Sequence, residues 1–138
     1  MDNETNVNLN EASIFYKKTE DTPEVILDKE KALIELSGMS LPDDVKTFYE
    51  PILEWLEGYN NDPPAKGTQV NFKFHYLNSS SSKAIMEILS RIKKLYQKGH
   101  GLKINWYYLE EDEDMLETGE DFADIMELPV NLIPIEEE

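Results

Sequence analysis

The sequence predicts a two-layer α/β protein, with a mixed four- to five-stranded sheet and about three helices mainly on one face. Its 138 residues are enough to bury one continuous core. Segments of strand periodicity alternate with segments of helical periodicity, in the order β-β-α-β-α-β-α-β. The alternating strands carry apolar residues on one face only, so the second face is predicted to be more polar and open, or used for association.

The first predicted strands and helix lie between residues 23 and 59. Segments 23–28 (PEVILD) and 32–37 (ALIELS) flank a polar turn and are rich in branched apolar residues, which is typical of strands. In LPDD (41–44), the proline suits a first helical turn and the acids favour the positive end of the helix dipole. The helix is predicted to end near Gly58. From Val45 the apolar residues that recur at helical spacing are Phe48, Tyr49, Ile52, Trp55, Leu56 and Tyr59.

Two more strand–helix units and a last strand follow. Residues 69–77 (QVNFKFHYL) alternate and predict a strand, NSSSSK starts the second helix, and GHG ends it. Residues 102–109 (LKINWYYL) alternate again, 110–128 form a third amphipathic helix, and 129–135 (PVNLIPI) are a short strand. In the first of these strands the side chains predicted on the buried face are Val70, Phe72, Phe74 and Tyr76. In the second they are Leu102, Ile104, Trp106 and Tyr108.

The N-terminal residues 1–18 are polar and without periodicity, and we interpret them as a flexible leader. Within the leader, Ile14, Phe15 and Tyr16 are candidates for local docking. The single predicted domain then spans 19–138. The N-terminus has neither a basic region nor an apolar run, so no secretion signal is expected.

The composition excludes several classes of function. There are 29 acidic and 13 basic residues, for a formal net charge of -16, and such a surface repels nucleic acids and anionic lipid. The chain has no cysteine, which excludes thiolate zinc sites and cysteine nucleophiles and suits a reducing cytoplasm. No apolar run approaches the ~20 residues of a membrane span.

A search for enzyme signatures finds little. His75 and His100 stand in no metal-binding spacing, and no phosphate-binding loop or nucleophile elbow is present. Acids at 110–114 could bind Mg²⁺ or Ca²⁺, although their place at a helix start is already explained by the dipole. We therefore predict no catalytic residue, no metal and no cofactor, and keep a small metal-dependent enzyme as a rival hypothesis.

Six of the thirteen basic residues lie in the second helix and the start of the following strand. They are either a solvated helix face or a basic surface that steers a protein partner. These six residues are Lys83, Arg91, Lys93, Lys94, Lys98 and Lys103.

The run of four serines between a strand and a helix is the most unusual feature. One or two of them, or Asn78, can cap the helix, but four are more than a cap needs. A helix N-terminus also accommodates a phosphate, because free N–H groups and the dipole both favour negative charge there. A plain polar cap and a phosphorylation site are both compatible with this pattern.

At this point the sequence resembles the SiaC family of bacterial regulatory phosphoproteins over roughly residues 19–135. The most specific stretch is YLNSSSSKAIMEIL (76–89). The other matching stretches, which occur in the right order, are TPEVILD, ALIELSG, LPDD with FYEPILEWLE, and GHGLKINWYY. The fold of that family is similar to anti-anti-sigma (STAS) domains, in which a serine at the matching loop is also phosphorylated.

The resemblance implies a signalling switch without catalysis of its own. Family members are phosphorylated on the hydroxyl residue after the Y-L-N asparagine by a partner kinase, and a PP2C-type phosphatase removes the phosphate. The unmodified form binds and activates a diguanylate cyclase. The matching residue here is Ser79, a serine where the better-known pattern has threonine, and the extended run leaves Ser80 as second choice. The predicted partner-binding residues are Asn78, Ser80, Ser81, Ser82 and Lys83.

Two other protein-binding functions remain as alternatives. A STAS-type anti-anti-sigma antagonist would share the switch but bind an anti-sigma kinase. A structural or oligomerisation module would use the polar sheet face and carry no phosphate.

Overall fold

The computed structural model describes residues 5–8 and 13–136, which form seven strands and three helices. The strands are β1 (Thr5–Asn8), β2 (Ser13–Tyr16), β3 (Glu24–Asp28), β4 (Leu33–Ser40), β5 (Thr68–Leu77), β6 (Leu102–Leu109) and β7 (Val130–Ile135). The helices are α1 (Val45–Asn61), α2 (Ser79–Gln97) and α3 (Glu113–Met126). From β3 onward the order matches the predicted β-β-α-β-α-β-α-β, so the α/β class is confirmed.

The seven strands form one mixed sheet in which neighbours in space are also neighbours in the chain. β1 to β4 pair antiparallel, whereas β4 to β7 pair parallel. One helix connects each parallel pair, as expected of crossover units. The N-termini of α1 and α2 therefore follow the carboxyl ends of β4 and β5.

The sheet has more strands than predicted because part of the predicted leader belongs to it. Ser13–Tyr16 pairs antiparallel with β3, and Ile14 and Tyr16 are 7% and 9% exposed. Those two apolar side chains join the core, so the boundary of the predicted leader at residue 18 is wrong. Residues 1–4 and 9–12 of that leader lie outside the described residues.

The helices pack on one face of the sheet and bury its apolar rows. Ile34, Val70 and Ile104 lie in register across β4, β5 and β6, and all three belong to the core cluster. α2 adds Ile85, Ile88, Leu89 and Ile92 to the same cluster, and their spacing in the sequence is that of one face of a helix. Burial of each such side chain contributes about 1.5–3 kcal/mol, so this layer accounts for much of the stability.

The opposite face of the sheet is polar, as predicted. A row of side chains crosses four strands: Asn71 Nδ2 donates to Glu35 Oε1 at 2.9 Å, and Asn105 Nδ2 donates to Asn71 Oδ1 at 2.9 Å. Asn131 Nδ2 continues the row to Asn105 Oδ1 at 3.0 Å. Hydrogen bonding between neighbours satisfies the amides of Asn71 and Asn105, which are only 5% and 2% exposed.

A break in the pairing register reverses the direction predicted for one side chain. β4 and β5 pair as Gly38↔Phe74 and then as Met39↔Tyr76, so His75 is an extra residue in β5. Gly38 has φ 113°, a conformation that glycine adopts readily. Because one extra residue shifts the alternation, Tyr76 turns away from the helices and is 46% exposed. The prediction that Tyr76 shares the buried face of Phe74 is therefore wrong.

The packing of α3 against β6 requires a glycine at position 119. A Cβ built on Gly119 would lie 2.5 Å from Trp106 Cδ1, and Trp106 is 1% exposed. The indole has little room to move because its Nε1 donates to Met115 O at 2.9 Å. We expect Gly119→Ala to lower the free energy of unfolding by about 2 kcal/mol, a typical cost of overpacking. Chemical denaturation checks this, and an unchanged denaturation midpoint would contradict the close packing of Gly119 against Trp106.

Candidate functional site

The candidate site is the start of α2, where β5 passes directly into the helix. Asn78 is the N-cap, and its Oδ1 accepts from Ser81 N at 2.8 Å. Asn78 O accepts from Ser82 N at 2.9 Å, which is the first intrahelical bond, and Asn78 N donates to Ser40 O at 3.1 Å. The cap is thus fixed both to the helix and to the end of β4.

The four serines have different environments because they occupy successive positions of the first helical turn. Ser79 and Ser80 are exposed, and Ser82 is half-buried. Ser81 is 0% exposed because its position turns it toward the core. The prediction that Ser81 contacts a partner is wrong for this reason. Asn78 is half-buried and Lys83 exposed, so both remain available at the surface.

Ser81 belongs to a buried chain of hydroxyls beneath the site. Its Oγ lies 2.8 Å from Ser40 Oγ, which lies 2.6 Å from Tyr49 Oη on α1. The chain joins β4, α1 and α2, and it holds the first turn of α2 in place. Burial raises the pKa of Tyr49 to about 12, against the opposing effect of the neighbouring hydroxyls of Ser40 and Ser81.

Sequence reasoning missed Ser40 and Tyr49 as supports of the site, although it placed Tyr49 on the apolar face of α1. The burial of Ser81 could have been predicted from the spacing. Ser81 lies four residues before buried Ile85, so both residues are on the same face of α2. Ser40 is 41 residues from Ser81, and no local pattern predicts that contact.

The start of α2 is electrostatically suited to an added negative charge. Its first turn contains no acidic residue, unlike that of α3, which carries Glu113 and Asp114. The N–H groups of Ser79 and Ser80 precede the first residue that can bond within the helix. A phosphoryl group on either exposed hydroxyl would therefore lie at the positive end of the helix dipole.

A groove of about 460 Å³ between α1 and α2 adjoins this helix start. Val45, Tyr49, Leu53 and Ala84 give it apolar walls, and Ser80 lies at its edge. The charged lining residues are Lys46, Glu50, Lys83 and Glu87. The exposed serines thus lie beside a groove with apolar walls and charged side chains, and interfaces likewise combine an apolar centre with a polar rim.

The basic residues of α2 are partly used within the molecule. Arg91 contacts Glu57 at 3.2 Å and Glu87 at 3.8 Å, and Lys93 contacts Glu127 at 3.6 Å. These contacts favour a solvated, ion-paired helix face over a basic docking surface for this part of α2. Lys83 is exposed next to the serines and belongs to the candidate site.

The other candidate residues do not come together in a catalytic arrangement. His100 Nε2 lies 2.9 Å from Thr68 Oγ1 at the far end of β5, whereas His75 is exposed beside the register break. Within residues 5–8 and 13–136 no three acidic or histidine side chains are grouped to hold a metal ion. The helices of the described chain also include none long and apolar enough to cross a membrane.

Ser81 and Ser79 are expected to respond differently to the same substitution. Ser81→Ala removes a buried hydroxyl from the chain with Ser40 and should cost about 1–2 kcal/mol of unfolding free energy. Ser79→Ala, at an exposed position, should change stability by less than about 0.5 kcal/mol. Urea denaturation of the two variants measures both values. Equal losses would contradict the assignment of Ser81 as the structural serine.

A capped helix start with accessible hydroxyls beside a groove is a surface suited to contact with another protein. The model of SiaC family regulatory phosphoproteins matches residues 16–135. The chain therefore belongs to the SiaC family, and the resemblance stated from the sequence is confirmed. Family membership makes it a regulatory signalling protein and not an enzyme.

The chain is also similar to individual proteins of Pseudomonas aeruginosa. An uncharacterized protein of strain UCBPP-PA14 is 26% identical over 111 residues, covering 80% of this chain and 87% of the relative. The crystal structure of apo-SiaC is similar with a TM-score of 0.79 at 23% identity, over 88% of this chain and 98% of that one. The structure of SiaC in complex with the diguanylate cyclase SiaD, which it activates, is similar with a TM-score of 0.79 at 24% identity. The match covers 86% of this chain and 96% of that one.

Proposed function

We propose that this chain is a cytoplasmic adaptor switched by reversible phosphorylation of Ser79. A partner kinase adds the phosphate and a PP2C-type phosphatase removes it. In the unphosphorylated form, the surface around Asn78, Ser80, Ser82 and Lys83 binds and regulates a diguanylate cyclase. Ser80 is the second choice for the modified residue.

The observation that supports this proposal most strongly is the exposure of Ser79 at the first position of a fixed helix. A kinase has to reach the hydroxyl, and Ser79 and Ser80 are exposed whereas Ser81 is buried. The SiaC relative that forms a complex with a diguanylate cyclase has the same fold, which supports a cyclase as the partner class.

The switch follows from electrostatics at one surface. Phosphorylation adds about -1.5 to -2 charges at pH 7. A partner that covers unmodified Ser79 would have to desolvate that charge, which costs several kcal/mol unless a cation meets it. The helix itself tolerates the charge, because the dipole and Lys83 both favour it. Docking is therefore lost without any refolding.

The partner is tested by recovering the protein from its own cells as Ser79→Ala and as Ser79→Asp. We expect a diguanylate cyclase, identified by mass spectrometry, with the Ala variant and much less of it with the Asp variant. Gln97→Asp adds the same charge at the exposed last turn of α2 and should bind like the unsubstituted protein. Recovery of an anti-sigma kinase in place of a cyclase would overturn the proposed output and favour the anti-anti-sigma alternative.

A further inference from the structure

Two large apolar side chains stand exposed together beside the serine run, on the side away from the α1–α2 groove. Met39 is 37% exposed and Tyr76 is 46% exposed. They are register partners at the carboxyl ends of β4 and β5, so they lie side by side on the open face of the sheet. We call them the Met39–Tyr76 pair.

The register break is what brings this pair together. If β5 alternated regularly through His75, Tyr76 would share the inward face of Phe74 and pack against the core. The break instead directs Leu77 inward and Tyr76 outward, next to Met39. Bulges of this kind often redirect a side chain beside a functional site, and an exposed aromatic ring gains no core packing in return.

The pair is continuous with the surface that carries the switch. Tyr76 is two residues before the cap Asn78, and Met39 precedes Ser40, whose carbonyl accepts from Asn78 N. At about 3.3 Å per residue, Tyr76 lies within about 10 Å of Ser79 along the chain. A stable interface buries about 800 Å² on each partner, a disc about 16 Å in radius, so one centred on Ser79 includes the pair.

We propose that the Met39–Tyr76 pair is the apolar anchor to which the cyclase partner binds. This inference rests on the proposed function and deepens it by naming contacts outside the serine run. The ring of Tyr76 fits an apolar recess in the partner that has a hydrogen-bond acceptor for the hydroxyl, and Met39 fills the irregular space beside it. A long-lived complex needs such an anchor, whereas a kinase that visits Ser79 briefly can act with a smaller contact area.

Tyr96 provides a matched control for Tyr76. It is a tyrosine of nearly equal exposure, 45%, near the end of α2. At 1.5 Å per residue it lies about 26 Å along the helix from Ser79, outside the expected interface. Both side chains are exposed, so Tyr76→Ala and Tyr96→Ala should leave the melting temperature nearly unchanged.

The proposal is tested by calorimetric titration, which measures the affinity of each variant for the cyclase. The cyclase used is the one that the unsubstituted protein recovers from its native cells. We expect Tyr76→Ala to weaken affinity by about 30-fold and Met39→Ala by about fivefold, with Tyr96→Ala unchanged. Equal affinities for Tyr76→Ala and Tyr96→Ala would overturn it. So would a Tyr76→Ala variant that takes up phosphate more slowly but binds the cyclase normally, since the pair would then serve the kinase.

The outcomes also separate this inference from the function on which it rests. If Ser79→Asp weakens cyclase binding and the two pair variants do not, the switch stands and the anchor is wrong. If the unsubstituted protein recovers no cyclase at all, the proposed function fails and the anchor fails with it.

Discussion

Phosphorylated at Ser79, the protein should bind the proposed cyclase partner about 100-fold more weakly than the unmodified form, a loss of about 2.7 kcal/mol in binding free energy. The dianion lies in the contact surface, and its desolvation exceeds what one neighbouring lysine, Lys83, can return. Surface plasmon resonance with the kinase-treated and phosphatase-treated protein measures this ratio.

The same modification should leave the fold intact or make it slightly more stable. A negative charge in the first turn of a helix contributes about 0.3–1 kcal/mol, so Ser79→Asp should raise the free energy of unfolding by that amount. Gln97→Asp places the same charge in the last turn of α2, where the dipole disfavours it, and should lower stability slightly. A variant with weaker binding and lower stability at position 79 would indicate unfolding of the helix start and contradict a purely electrostatic switch.

Alkaline pH should reveal the buried hydroxyl chain beneath the switch. Tyr49 is 1% exposed, and its pKa is raised from 10.0 to about 12 in the folded protein. Above pH 10 the unfolded chain loses this proton while the folded protein keeps it, so the unfolded state is favoured progressively. The contribution of Tyr49 is fully present below pH 10 and is lost as the pH rises to 12, by about 3 kcal/mol at 1.4 kcal/mol per pKa unit.

Comparison with Tyr49→Phe isolates this contribution. Burial also raises the pKa of Tyr16 and Tyr59, so all variants should lose some stability at high pH. At pH 7, Tyr49→Phe should cost about 1 kcal/mol for the lost hydrogen bond to Ser40. Between pH 10 and 12 the unsubstituted protein should lose that advantage and fall below the variant. Parallel stability curves for the two proteins would show that Tyr49 does not keep its proton.

Periodicity predicted the elements of this fold because burial of one face imposes a spacing that can be read locally. α2 is the best example, since Ile85, Ile88, Leu89 and Ile92 all lie in the core as their spacing indicates. β2 escaped prediction because four residues, Ser13–Tyr16, are too few to display a period. Their burial depends on pairing with β3, which lies beyond a polar segment.

The site was predicted in its position but not in its details. The cap and the serine run follow from local chemistry, and so does the suitability of the helix start for a phosphate. Which serine is buried and which are exposed depends on Ser40 and Tyr49. These two residues form the hydroxyl chain with Ser81 from β4 and α1. The outward turn of Tyr76 depends on one extra residue in a pairing register, and an alternating sequence contains no sign of it.

The most direct test of the account is peptide mapping by mass spectrometry of the protein recovered from its own cells. We predict one phosphate per modified chain, on the peptide that contains residues 76–83, with fragment ions that assign it to Ser79 and not to Ser81. Phosphate on buried Ser81, or a chain that carries no phosphate under any growth condition, would contradict the claim that an exposed hydroxyl at this helix start is the switch.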